Sequence, residues 1–294
     1  MLNKDLLNRI EDGIPGFSKG QKQIARYIID HYEQAAYMTA AKLGKLVGVS
    51  ESTVVRFANE LGFDGYPELQ RGLQELIRTR LTSFQRMEVA NRLMGEDDVL
   101  EKVLLADAEK IKHTLENANR AAFNGAVEKL LRARHIYIMG VRSSATLAGF
   151  LNHNFQIVFD NVKHVQTTSG SEIFEQLLYM GEGDVLFAIS FPRYSKRTIN
   201  AVAYAKEKGA DVIALTDSNV SPIAGYADHL LLAQSDMASF VDSLVAPLSI
   251  INAIIVAVAM KKQDELNVRL RQLEKIWKEY DVYATGDGGN ANGG

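Results

Sequence analysis

At Arg134 the spacing of apolar residues changes, and this change constrains the fold more than any other feature. Downstream lie five short β-rich runs: HIYIMG (135–140), KHVQT (163–167), DVLFAIS (184–190), DVIALT (211–216) and HLLLA (229–233). Helical stretches at 145–159, 172–180 and 196–208 separate the first four. Strand–helix alternation implies βαβ units, right-handed crossovers and a parallel sheet. The run 184–190 is apolar nearly throughout, as in a strand covered on both faces. A five-stranded parallel, flavodoxin-like sheet with helices on both faces is expected. Helices at 242–260 and 264–280 close the fold, and TGDGGNANGG (285–294) is too polar and Gly-rich to fold, so a disordered tail is expected.

Upstream of Arg134 the pattern is helical. Ser18-Lys-Gly-Gln21 has the form of a capping box, opening a helix to about Tyr32 with Ile24, Ile28 and Tyr32 on one stripe. Residues 39–63, TAAKLGKLVGVSESTVVRFANELGF, hold two shorter helices. Leu43 and Val47 lie four apart on the first, and Gly44 leaves room where the two meet. Gly48 supplies the turn, Ser50 is the N-cap of the second helix, and Val54, Phe57, Ala58 and Leu61 line its inner face. Helix, Gly turn and capped helix form the helix-turn-helix pattern, whose second helix enters a DNA major groove; a plain helical hairpin is the bland alternative. By that geometry Ser50, Ser52, Thr53, Arg56 and Asn59 face the groove. Arg56 would read guanine and Asn59 adenine, with Lys42 and Lys45 available for phosphates. A phosphate contact or a salt bridge to Glu60 is the plainer reading of Arg56.

The 294 residues suit about two domains. We expect an all-α N-terminal domain (1–80), a helical linker (81–120), an α/β domain (121–284) and the tail. Asp98-x-x-Glu101 is a second capping box, ahead of Val99, Val103, Leu104, Ala108, Ile111 and Leu115 at helical spacing. Net charge is -3, and residues 1–80 hold 11 Lys and Arg against 10 Asp and Glu. DNA contact would thus rest on a few placed cations rather than on a basic excess. There are no cysteines, which excludes disulfides and thiolate metal sites and is compatible with a reducing cytoplasm. No metal site or cofactor is expected. The N-terminus lacks the apolar core of a signal peptide, and the run 244–260 is broken by Pro247, Ser249 and Asn252, so no membrane association is expected.

In an open parallel sheet, ligands bind beyond the carboxyl ends of the strands. There the loops are rich in hydroxyls and open helices: Gly140-Val-Arg142-Ser143-Ser144, Thr167-Thr-Ser169-Gly-Ser171-Glu172, Ser190-Phe-Pro-Arg193-Tyr-Ser195-Lys-Arg-Thr198, and Thr216-Asp-Ser218-Asn-Val-Ser221. Helix N-termini favour anions, hydroxyls donate to phosphate and sugar oxygens, and Arg clamps either. No G-x-G-x-x-G or P-loop occurs, so a small phosphorylated sugar fits better than a nucleotide. Each serine also has the ordinary reading of an N-cap, and Arg193, Lys196 and Arg197 that of solvated surface.

SESTVVRFANELGFDGYPELQ (50–70) resembles the helix-turn-helix domain of RpiR-type bacterial transcriptional regulators. Residues 125–260 resemble the sugar isomerase (SIS) domain those regulators carry, through G-x-R-S-S after the first strand and I-S-F-P-R-Y-S-K-R-T after the third. The resemblance implies a cytoplasmic dimer or tetramer whose SIS domain binds a sugar phosphate and alters affinity for duplex DNA. By position it implies phosphosugar contacts at Ser143, Ser144, Ser190, Ser195 and Thr198. Many SIS domains have S-x-S-G-x-T in the third-strand loop; this chain has SFPRYSKRT, with Arg193 and Tyr194.

The competing expectation is an aldose–ketose isomerase acting on a sugar phosphate. It would need a base near the substrate C–H, for which Glu172, His153 and His164 are the candidates. Glu172 otherwise suits the first turn of a helix. The helices at 99–115 and 244–260 are candidates either for a subunit interface or for internal core.

Overall fold

The computed structural model describes residues 2–80, 82, 84–88, 98–166, 169–236 and 241–283. The expected tail at 285–294 and most of the stretch 81–97 lie outside these residues.

Five helices form the N-terminal head: α1 (Leu2–Gly13), α2 (Lys19–Ala35), α3 (Ala40–Val47), α4 (Glu51–Glu60) and α5 (Tyr66–Arg80). The Ser18 capping box is complete: Gln21 N–H donates to Ser18 Oγ, and Ser18 N–H donates to Gln21 Oε1 at 2.9 Å. Thr39 caps α3 and Ser50 caps α4. Gly48 takes φ 76°, which ends α3 and turns the chain. A Cβ on Gly44 would lie 2.8 Å from the Val49 carbonyl oxygen, so the turn can fold back only over a glycine.

Leu43, Val54, Phe57 and Ala58 are buried with Ile24, Ile28, Leu69, Leu73 and Leu76 in one core. Helix α1, for which the sequence carries no capping signal, also belongs to this core through Leu6, Leu7 and Ile10. Helix C-termini leave carbonyls unsatisfied. Here α5 supplies the donors: the Tyr66 hydroxyl bonds Ala35 O and Met38 O, at 3.2 and 2.9 Å. Gln70 and Gln74 add bonds to Met38 O and Ala36 O. Burial pushes the Tyr66 pKa up to about 12.

The body opens with α6 (Val99–Glu116) and α7 (Arg120–Arg132). It continues β1 (Ile136–Gly140), α8 (Ser143–Val158), β2 (Val162–Val165), α9 (Gly170–Leu177), β3 (Val185–Ile189), α10 (Lys196–Glu207), β4 (Asp211–Thr216) and β5 (His229–Leu232). Two helices, α11 (Val245–Lys261) and α12 (Gln263–Glu279), close it. All strand pairs are parallel, in the order β2-β1-β3-β4-β5. Alternate residues serve alternate faces. Ile136, Ile138, Phe187 and Ile213 pack with α7, α8 and α11, while Tyr137, Met139, Leu186 and Val212 pack with α9 and α10.

At the amino ends of the strands, buried Asp184 accepts from Arg134 at 2.9 and 2.7 Å and lies 3.0 Å from His135 Nδ1. Burial alone would raise the Asp184 pKa. The Arg134 guanidinium, the Gly181 N–H and His135 outweigh it and hold the carboxyl down to about 2.

Helix α6 begins where the Asp98 capping signal predicts. Asp98 caps it, bonding Glu101 N–H at 3.0 Å. But Val99, Leu104, Ile111 and Leu115 are exposed, so they are not internal core of this chain. The polar side packs inward instead. Asp107 accepts from Ser243 Oγ at 2.7 Å and from buried Lys110, and Thr114 Oγ1 accepts from Gln234 N–H at 2.9 Å. Helix α11 is divided: Ile251, Ile254 and Val258 are buried, whereas Val256 and Met260 are exposed. Among the described residues no single helix is long and apolar enough to cross a membrane.

Candidate functional site

The strand order positions the cleft. From β1 the chain moves outward to β2, then returns to β3 on the other side, so the connection reverses between β1 and β3. The carboxyl ends of two neighbouring strands with diverging connections leave a crevice there. A cleft of about 300 Å³ occupies this place, lined by Arg142, Ser143, Ser144, Ser190, Arg193, Ser195 and Thr198 among others. That size suits a small polar molecule.

Each lining residue has a local cause. No side chain caps α8, so the orphan N–H groups of its first turn are left for a ligand or water. Arg142 precedes it with φ 59°, a left-handed conformation costing on the order of 1 kcal/mol or more for a residue with a side chain. Ser195 does cap its helix, accepting from Arg197 N–H at 3.3 Å. Ser144, Ser190 and Thr198 are 4%, 3% and 1% exposed, so these hydroxyls belong to the floor of the cleft rather than its rim. Tyr194 donates to Asp217 Oδ1 at 2.9 Å, tying the loop after β3 to the loop after β4.

Two residues expected at the site do not line the cleft. Gly140 ends β1 buried and does not line the cleft; a Cβ there would lie 2.3 Å from Ser144 O, so its role is to let α8 approach. Glu172 is exposed on α9 and lies outside the lining. Of the four hydroxyl-rich loops, those after β1 and β3 line the cleft together among the described residues. The loop after β4 instead places Asp217, Ser218 and Asn219 beside Arg71 and Gln74 of the head. Thr167 and Thr168, after β2, lie outside the described residues. Neither His153, exposed on α8, nor His164, on β2 with its pKa lowered by burial, lines the cleft. Sequence reasoning missed two charged lining residues, Arg86 and Asp242, which form an ion pair across 156 positions.

On the head, Ser52, Arg56, Asn59, Lys42 and Lys45 are exposed. Ser50 Oγ lies 2.9 Å from Ser52 Oγ and 2.8 Å from Thr53 Oγ1, a cluster of three hydroxyls at the start of α4. Arg56 Nε donates to Ser52 O at 3.3 Å, and among the described residues no ion pair joins it to Glu60. Asn59 Oδ1 accepts from Gly65 N–H at 3.0 Å, which stabilises the turn after α4.

Residues 4–79 match the helix-turn-helix domain of the rpiR family, and residues 129–257 match the SIS domain. An HTH-type transcriptional regulator of Caldanaerobacter subterraneus is 27% identical over 274 residues, covering 89% of this chain and 93% of its own. The sugar isomerase domain of an RpiR transcription factor from Sphaerobacter thermophilus is 30% identical with TM-score 0.57, covering 59% of this chain and 97% of its own. The NanR protein of Vibrio vulnificus, solved in complex with ManNAc-6P, shares the fold over 96% of this chain and 100% of its own, at TM-score 0.59 and 20% identity. The relatives are named as regulators rather than as isomerases. The chain belongs to the RpiR family of transcriptional regulators, a helix-turn-helix domain joined to an SIS domain.

Proposed function

We propose that the SIS cleft senses a phosphorylated sugar and that its occupancy changes how the head binds an operator. The observation that carries this is the cleft itself: buried hydroxyls from two helix-opening loops, with Arg142 and Arg193, at the one reversal of the sheet. Helix N-termini and hydroxyls suit phosphate, and the arginines supply bidentate donors. The ManNAc-6P held by NanR supports the ligand class, though not this particular sugar.

In this reading Ser143, Ser144, Ser190, Ser195 and Thr198 hold the ligand, with Arg142 and Arg193 beside them. On the head, Ser52, Thr53 and Arg56 meet base edges or phosphates, Ser50 orders the start of α4, and Lys42 and Lys45 meet the backbone. Asn59 positions the following turn. A single helix-turn-helix contacts a half-site, so the working form is a homo-oligomer, dimer or tetramer, on a near-palindromic operator. The exposed apolar side of α6 supports a subunit contact. A protein reading chromosomal operators in a bacterium acts in the cytoplasm.

The test is a thermal-shift panel of sugar phosphates, followed by DNA binding with each hit. A phosphorylated sugar should raise Tm, by mass action on the folded state, where the unphosphorylated sugar does not. A panel without any shift contradicts the reading.

A further inference from the structure

Arg86 and Asp242 line the same cleft as the hydroxyls, yet come from opposite parts of the chain. Arg86 lies in the helical residues 84–88, within the connection that follows the head. Asp242 lies just before α11 of the body. Their side chains are 5% and 8% exposed, and they form an ion pair. The next body residue, Ser243, donates to Asp107 of α6 at 2.7 Å. Arg86 of the connection and Asp107 of α6, the first helix after it, therefore hold two consecutive residues, of which Asp242 lines the cleft.

We infer that Arg86 is the ligand's phosphate-binding side chain contributed by the linker, and that the ligand's anion displaces Asp242 from it. This deepens the reading of the cleft as a sugar-phosphate site and rests on it. The physical ground is competition. A guanidinium buried beside hydroxyls binds an entering phosphate bidentately, and Asp242 is the anion already paired with it. Exchange of one anion for another moves the charge partner from the body segment to the ligand. That releases Asp242 while Ser243 stays tied to α6. Occupancy is thus registered by the linker, the segment that sets where the head stands. A ligand can shift an equilibrium only by contacts that differ between two states, and this pair supplies such a difference.

The chain has no cysteine, so a single introduced thiol labels one place only. Phe84, 76% exposed, is suited to it. The experiment titrates inorganic phosphate, ManNAc-6P and hexose 6-phosphates into full-length protein by calorimetry, and into Phe84→Cys carrying an environment-sensitive dye. Arg86→Gln should weaken phosphorylated probes about tenfold or more, with Arg86→Lys recovering part of the loss, as expected for one charge-assisted contact. Asp242→Asn should tighten them, a gain that misfolding cannot produce. The dye signal should follow ligand saturation and vanish in the Arg86→Gln background. Unchanged affinity in Arg86→Gln, no tightening in Asp242→Asn, or a silent dye while the parent protein binds, overturns the inference. If Ser143→Ala still loses binding in that case, the cleft reading stands without it. If no probe binds the parent protein, the cleft reading fails and takes this inference with it.

Discussion

The head and the body present their functional side chains in opposite ways. On the head, Ser52, Arg56, Lys42 and Lys45 stand in solvent, and the core beneath them is built from other residues. In the body, Ser144, Ser190 and Thr198 are buried, and Gly140 beneath them admits no side chain. A reading surface for a large rigid partner can be laid over a finished fold. A pocket for a small molecule must be part of the packing. Function and stability should therefore separate in the head and coincide in the body.

The largest expected effect is Gly140→Ala. The added methyl meets backbone of α8, so strand and helix must part, at a cost of about 3 kcal/mol. Calorimetry should show a lower Tm, and ligand binding should fall with it. A stable protein with intact binding would break the comparison.

Next is Asp184, far from the cleft, which asks whether body stability matters apart from the site. Its folded pKa of about 2 lies below the usual 3.8. Its contribution is thus present above that ordinary value and lost as pH falls toward 2, amounting to about 2 kcal/mol. Asp184→Asn should lower stability at neutral pH and flatten the acid limb between pH 4 and 2, read by urea melts across pH.

Tyr66→Phe removes the hydroxyl that satisfies Ala35 O and Met38 O. The head should lose about 1–2 kcal/mol, measured by chemical denaturation, with ligand affinity unchanged. Arg56→Ala should leave Tm within a degree or so, because a surface side chain contributes little to folding. Operator affinity should nevertheless fall about tenfold or more in a gel shift. Equal affinity would remove Arg56 from the reading face.

What was legible in the chain follows from how local each cause is. Strand β4 was legible to the residue, and the others to within two residues, because a run bounded by turn residues reports its own conformation. Gly44, Gly48 and the Ser50 cap were legible for the same reason. Helix α1 was not, since a short amphipathic stretch becomes a helix only when Leu6 and Ile10 find the core. The cleft was half legible. The hydroxyl loops were visible, but which of them meet depends on strand order, which no local pattern encodes. That is why the sequence points to Glu172, which lies outside the lining, and not to Asp242, which lies within it. The pairing of Arg86 with Asp242 spans 156 positions and leaves no periodic trace. In α6 the apolar stripe was visible, but whether it faces core or another molecule is a property of the assembled chain.

The central claim is that the cleft governs the head. The direct measurement is fluorescence anisotropy of a labelled duplex, selected by the protein from a random pool, titrated with and without a saturating sugar phosphate from the panel. The account predicts that operator affinity shifts at least about fivefold, and that Ser143→Ala abolishes the shift while keeping DNA binding. An operator affinity that stays the same with the cleft saturated would contradict it.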